Sequence, residues 1–299
     1  MSTLASRVEI GRDGLEAAFV PDLAMVGVSL RIRGEELVAL PNSLEAYGEH
    51  GLATGIPLLF PWANRLGGTT YPASGGTVDV TARRDLLQFD GPLPIHGVIP
   101  SLVPLRVVAA GVDAVEAEFD SAASPAVLDV FPFPHSLRVR ASVTGSALTV
   151  ETTLAAAGDV PVPVSFGYHP YFRLPGSPRS EWRLVLPDRR SLVLDARKVP
   201  TGASQAATAE DQPLDDRSLD DGFSGLQPSA ELAVGDERHR VSVRLEAGYP
   251  CAQVYAPARR DLIALEPMTA PADTLRTRTG LRFATAEAPF TARFSIVVS

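Results

Sequence analysis

The chain reads as short apolar–polar alternations, broken every few residues by Gly, Pro, Asp or Asn. Leu137-Arg138-Val139-Arg140-Ala141-Ser142-Val143 alternates strictly, with the period of a half-buried antiparallel strand. A similar run over 148–153 follows Thr144-Gly145-Ser146-Ala147, and together they predict a hairpin. The same pattern predicts strands over 26–32, 78–81, 105–109, 114–119, 183–186, 191–194, 241–246, 251–255 and 290–298. Helical periodicity is scarce, because 26 prolines and 24 glycines are spread along the chain. Short helical turns are expected near 44–47, 124–128 and 273–275. The Ala-, Gly- and Asp-rich stretch 201–221 is expected to be a long loop or pair of loops. Strands with turns at short spacing predict an all-β sandwich or barrel. No repeat is evident, and residues 1–299 are expected to form one domain.

Composition narrows the function. The chain is 45% hydrophobic and 21% charged, as in ordinary globular proteins. Its 35 acidic and 27 basic side chains give a net charge of −8, without the basic runs that nucleic-acid binding needs. No nucleic-acid partner is expected. Cys251 is the only cysteine, which excludes an internal disulfide and cysteine-rich zinc sites. It stands in an alternating segment and reads as a buried, inert thiol. No H-x-x-H or H-E-x-x-H spacing appears and there is no Gly-rich phosphate loop, so neither metal nor other cofactor is expected. The N-terminal stretch MSTLASRVEIGRDG lacks the marks of a signal peptide, and no apolar run approaches the ~20 residues of a membrane helix. A cytoplasmic protein without a membrane partner is the expectation.

Polar residues in unusual settings mark the candidate chemistry. His169 lies within VSFGYHPYFRLPG, where aromatic residues and two prolines crowd one imidazole at a strand end. Glu266 follows the apolar Ile263-Ala264-Leu265 and precedes Pro267, a junction that partly desolvates a carboxylate and raises its basicity. It reads equally as a general base or as one half of a rim ion pair. Asn64 and Arg65 follow a Pro-rich apolar run, and the guanidinium fork suits paired hydroxyls. His96 lies in LPIHGV, and Asp220 in SLDDGF beside Asp221. His239, among Asp236, Glu237, Arg238 and Arg240, reads as part of a solvated face. For the Phe131-Pro132-Phe133-Pro134 cluster before His135 the sequence suggests only a loop over apolar surface.

These segments together resemble the aldose 1-epimerase family. The resemblance runs from about Leu15 to near the C-terminus. It rests on Asn64-Arg65, His96-Gly97, Gly167-Tyr168-His169-Pro170, Pro200-Thr201-Gly202, Leu219-Asp220 with Phe223 following, and Leu265-Glu266-Pro267-Met268-Thr269. It implies a large antiparallel β-sandwich of the galactose mutarotase-like type with few short helices. It also implies interconversion of the α and β anomers of a free aldose, a small-molecule sugar. Glu266 matches the family's general base and His169 its general acid. On that assignment, protonation of Glu266 would set the acid limb of a pH profile and deprotonation of His169 the alkaline limb. Arg65, His96, Asp220 and Asn64 match sugar-binding positions, with Asp221 the alternative if the register slips. Tyr168 or Trp62 is expected to cover the apolar side of the sugar, and the Phe131–Phe133 loop to help wall the site. A phosphorylated hexose is an alternative substrate, with Arg83, Arg84 or Arg173 at the rim. A non-catalytic sugar-binding protein of the same fold is another reading, and a glycoside-cleaving enzyme a third. A monomer or weak homodimer is expected.

Overall fold

In the computed structural model, which describes residues 6–73 and 75–299, the alternating segments assemble into large antiparallel sheets. Residues 1–5, the start of the N-terminal stretch read above for targeting signals, lie outside the described residues, as does Ser74. The predicted hairpin is longer than its strictly alternating part. His135–Thr144 pairs with Ala147–Ala156 around Gly145-Ser146, and side chains alternate between buried and more exposed over both strands. Gly145 takes φ 58°, the left-handed conformation such a two-residue turn requires.

That hairpin is part of a nine-stranded sheet. Its order is Arg106–Ala110, Ala114–Asp120, His135–Thr144, Ala147–Ala156, Phe290–Val298, Arg240–Ala247, Ala230–Gly235, Arg183–Leu186 and Glu210–Pro213. An eight-stranded sheet runs from Pro200–Ala207 through Arg189–Leu194, Leu219–Ser224, Cys251–Ala256, Ile263–Met268 and Gly167–Tyr168 to Leu58–Leu59. Its eighth strand, Tyr171–Phe172, pairs with the start of Ile263–Met268. The inner faces of both sheets contribute to one apolar core. Among the described residues no helix is long and apolar enough to cross a membrane.

Alternation along Ile263–Met268 separates core from site. Ile263 and Leu265 join the main core with Val254. Ala264 and Glu266 therefore turn to the opposite face of the sheet. The short helix Leu44–His50 begins at Ser43, whose hydroxyl accepts from the Ala46 N–H at 3.1 Å, and ends at Gly51 in the left-handed region.

Several expectations are corrected. The stretch 201–221 is not loop: it contains most of Pro200–Ala207, all of Glu210–Pro213 and the start of Leu219–Ser224. The first two are edge strands exposed along most of their length, so their small and polar residues carry no apolar alternation to read. The strand expected over 78–81 stops at Asp79, whose carboxylate accepts from the Thr81 N–H and starts a 3-10 turn. His239 is buried rather than solvated, and its Nε2 meets Glu35 Oε2 at 2.9 Å. Phe131 and Phe133 are buried in the core with His135, and none of the three lines the cavity described below. The imidazole of His135 lies among the rings of Phe60, Phe119 and Phe131.

Arg179 ties the loops at one end of the sandwich together. Its buried guanidinium donates to the carbonyls of Asp215 (2.9 Å), Arg217 (2.7 Å), Arg260 (3.3 Å), Leu262 (3.3 Å) and Ala256 (3.4 Å). A lysine has the charge but not the planar fork that reaches them all. Arg179→Lys should therefore cost on the order of 2–4 kcal/mol in urea unfolding, and an unchanged midpoint would contradict this role.

Candidate active site

A cavity of about 240 Å³ opens on the outer face of the eight-stranded sheet. Register explains which side chains reach it. Glu266 lies opposite Gln253, and Gln253 opposite Gly222, across three neighbouring strands. Two residues along, Tyr255 lies opposite Ala264 on one side and Asp220 on the other. Side chains in register share a face. Asp220 therefore faces the cavity and its neighbour Asp221 the other side of the sheet, and only Asp220 is among the lining residues.

Period two also corrects the tyrosine assignment. On leaving Gly167–Tyr168 the chain turns Tyr168 into the core and His169 into the cavity. Tyr168 packs against Phe294 with centroids 5.0 Å apart, and its hydroxyl meets Thr152 Oγ1 at 2.7 Å. Trp62 is likewise in the core, edge-on to Tyr71. The aromatic cavity walls are instead Tyr171, Tyr255 and Phe89. Tyr171 stacks on the His169 ring at 4.4 Å.

At the cavity His169 Nε2 meets Glu266 Oε1 at 3.1 Å, and the Glu266 side chain is only 1% exposed. Burial pushes the Glu266 carboxyl well above its ordinary range; Asp220 pushes the same way and Arg65 opposes. Burial brings the His169 imidazole down to about 3. Each group thus resists charging, and the contact joins two groups that favour their neutral forms. His96 stands edge-on to His169, with centroids 5.4 Å apart. Burial holds it well below its usual value, and His169 and Arg65 add to the effect. Among the described residues His96 Nδ1, His169 Nδ1 and Glu266 Oε2 are buried with no protein partner. Orphaned polar atoms converging on one cavity mark a place for a polar ligand.

Arg65 is held on several sides. Its Nε donates to Asp90 Oδ2 at 2.7 Å, one Nη to Asn64 Oδ1 at 3.3 Å and the other to Asp220 Oδ2 at 3.5 Å. Gln253 Nε2 donates to the other Asp220 oxygen at 2.6 Å. Asn64 has φ 59° and its side chain accepts from the Arg65 N–H at 2.7 Å, so it shapes the loop that presents Arg65. Behind that loop, Asp273 accepts from the Gly67 N–H at 2.7 Å and donates its own N–H to the Arg65 carbonyl at 3.0 Å.

The structure thus gathers Arg65, His96, Asp220, Glu266, His169 and Asn64 around one cavity, and leaves out Tyr168. Sequence reading missed Gln88, Phe89, Asp90, Tyr171 and Tyr255 in the lining, and Gln253 behind it. For Gln253 and Tyr255 a signal existed, since alternation puts them on one face of the strand predicted at 251–255. Among the described residues no group of three or more His, Cys, Asp or Glu side chains is placed to hold a metal ion.

The large antiparallel sandwich has the galactose mutarotase-like fold. The chain belongs to the aldose 1-epimerase family, whose model matches residues 28–293. Similar solved structures include a galactose mutarotase-like protein from Clostridium acetobutylicum, with TM-score 0.80 and 18% identity over 98% of this chain and 95% of that one. The Slr1438 protein of Synechocystis sp. PCC 6803 aligns with TM-score 0.79 and 20% identity over 100% and 98%. The GalM/aldose epimerase homologue from C. elegans aligns with TM-score 0.79 and 17% identity over 98% of both chains. No curated protein sequence matches the chain. Family and fold together point to mutarotase-type activity.

The His96-Gly97 dipeptide has a steric reason. His96 has φ 64° and Gly97 φ 78°, and a Cβ on Gly97 would stand 2.0 Å from the Phe60 carbonyl oxygen. Gly97→Ala should destabilise the fold by more than about 1 kcal/mol. It should also move the His96 imidazole, read by urea unfolding and by the His96 ring resonances. A variant with wild-type stability and an unmoved His96 would contradict this.

Proposed function

We propose that the protein is a mutarotase that interconverts the α and β anomers of a free, unphosphorylated aldose by acid–base ring opening and closing. The observation that carries this reading is the buried 3.1 Å contact between His169 and Glu266 at a cavity of monosaccharide scale. At about 240 Å³ the cavity falls below the roughly 300–1,000 Å³ of drug-sized ligand pockets.

The reaction needs one group to take the anomeric hydroxyl proton and another to protonate the ring oxygen. Ring opening gives the aldehyde, rotation about C1–C2 exposes its other face, and closure reverses both transfers. Glu266 is assigned as base and His169 as acid, roles the pair takes when its one proton moves from the carboxyl to the imidazole. The carboxylate then takes the anomeric proton while the imidazolium gives its own to the ring oxygen, which returns the pair to its neutral form. Arg65, His96 and Asp220 hold hydroxyls, and Tyr171 supports the His169 ring. Because Arg65 is already held by Asp90, Asn64 and Asp220, a sugar meets a guanidinium fixed in place.

The charge balance favours an unphosphorylated sugar. The carboxylates of Asp90 and Asp220 line the cavity against the single guanidinium of Arg65. Arg83 and Arg173 are absent from the lining, and Arg84 lies outside it, with its guanidinium 3.7 Å from the centre of the Phe89 ring. A protein that only bound sugar would need no adjacent desolvated acid and base, which weighs against the binding-module reading.

Relaxation of the optical rotation of fresh α-glucose and α-galactose, with proton NMR of both anomers, tests the activity. Glu266→Gln and His169→Asn should each lower kcat by a factor on the order of 10²–10⁴. The double variant should be little worse than the poorer single one, since groups acting as a unit are non-additive. Wild-type exchange by Glu266→Gln would remove it as the base.

The pH dependence follows from the opposed shifts. The working pair carries one titratable proton, and its apparent pKa values belong to both groups together. A second proton is added only as pH falls toward the depressed imidazole value of about 3. The single proton is lost only as pH rises through the elevated carboxyl value. The acid limb therefore follows the imidazole and the alkaline limb the carboxyl, the reverse of the order expected from unperturbed groups. In kcat/KM, activity should persist well below pH 6 and fall only above the ordinary carboxylate range. An alkaline limb that moves with the His169 resonance at an ordinary imidazole value of about 6.5 would refute the pairing.

A further inference from the structure

We propose that Gln88 is a specificity-determining residue that accepts a hydrogen bond from a non-anomeric hydroxyl of the bound sugar. This deepens, and rests on, the mutarotase reading. Gln88 lies on the strand Leu87–Asp90, and the hairpin it forms with Leu93–Val98 also carries His96 and the Arg65 partner Asp90. Gln88 is among the residues that line the cavity. Its Oε1 is buried, and among the described residues it has no hydrogen-bond partner.

The other amides around the cavity are all engaged. Asn42 Nδ2 donates to the Ala53 carbonyl at 2.9 Å. Asn64 Oδ1 accepts from the Arg65 N–H, and Gln253 Nε2 donates to Asp220. Gln88 alone among them carries a buried acceptor that no protein donor serves. Its cross-strand partner is Ile95, which offers the amide nothing polar. On its other side lies Gly51, where an added Cβ would stand 3.2 Å from the Gln88 Cβ and 3.4 Å from its Oε1. Gly51 is the left-handed C-cap of the helix Leu44–His50, so the helix end leaves room for this side chain.

A buried acceptor without a donor is costly, and that cost is relieved when a ligand supplies the donor. A sugar hydroxyl is a donor of the right kind. It also gives discrimination, because a sugar lacking it, or bearing it on the opposite ring face, leaves Oε1 unserved. Gln88 adds no charge to a cavity already lined by the carboxylates of Asp90 and Asp220, which fits a neutral substituent.

The test uses 1,5-anhydroglucitol, its galacto counterpart and their monodeoxy derivatives, which lack an anomeric hydroxyl and so bind without reacting. Their affinities for the wild type, Gln88→Met and Gln88→Glu are measured by NMR titration. Gln88→Met is near-isosteric and removes the acceptor, while Gln88→Glu keeps one. Gln88→Met should weaken the parent ligand about 3- to 10-fold. One monodeoxy ligand should bind wild type and Gln88→Met alike, because the hydroxyl that Gln88 reads is already gone. Gln88→Glu should still discriminate against that same ligand. A uniform loss over all derivatives, or no loss for any, overturns the inference. If the wild type exchanges anomers and Gln88→Met binds every ligand as it does, only the role of Gln88 falls. If the wild type neither exchanges anomers nor binds these ligands, the mutarotase reading falls and the inference with it.

Discussion

The contact between His169 and Glu266 is the constraint around which the cavity is organised. Two ionisable groups 3.1 Å apart would form an ordinary ion pair in water. Here burial disfavours the charged form of each, so the shared proton rests on the carboxyl and the imidazole stays neutral. Such a balance survives only where water is excluded and the neighbouring charges are fixed. Tyr171 shields one face of the imidazole, and His96 meets it edge-on. Asp220 pushes the Glu266 carboxyl further up and Arg65 pulls it back, so the placement of two surrounding charges tunes the pair.

Those charges are fixed by backbone as much as by side chains. The loop carrying Asn64 and Arg65 is bridged to the Leu93–Val98 strand through Phe60 with Gly97 and Arg65 with Ile95, and to Ser165 through Trp62. Asp273, shortly after the strand that delivers Glu266, grips the same loop at Gly67 and Arg65. The segment bearing the proposed base thus also anchors the proposed sugar-binding arginine, and a shift in one would be felt by the other. This rigidity is the kind an acid–base site needs, because small misplacements of reacting groups are expensive in rate.

Much of this was legible in the chain where burial is one-sided. The 137–143 and 148–153 segments alternate because one face of their sheet is core and the other is more exposed. The edge strands Pro200–Ala207 and Glu210–Pro213 are mostly exposed on both faces and are held by backbone ladders, so no hydrophobic pattern announced them. The site residues showed themselves by odd settings: a histidine among aromatics and prolines, a glutamate closing an apolar run. Tyr168 shared the setting of His169 yet faces the core, and the two-residue period that separates them was itself in the sequence. Asp90, Phe89 and Gln88 had no such setting, since they stand in a short hairpin whose importance comes from what it leans on.

The sequence by itself determined the strand-rich architecture, the family and the short list of polar residues worth watching, because alternation, turn residues and motif order are local properties of the chain. Only the tertiary structure decided that Glu266 and His169 touch, that Asp220 rather than Asp221 faces the cavity, and that Gln88 carries an acceptor no protein group serves. Those facts depend on register between strands far apart in sequence and on how much water the assembled sheets exclude. Dielectric and cross-strand neighbours belong to the packed molecule, and they set both the protonation of the pair and the room left for a sugar.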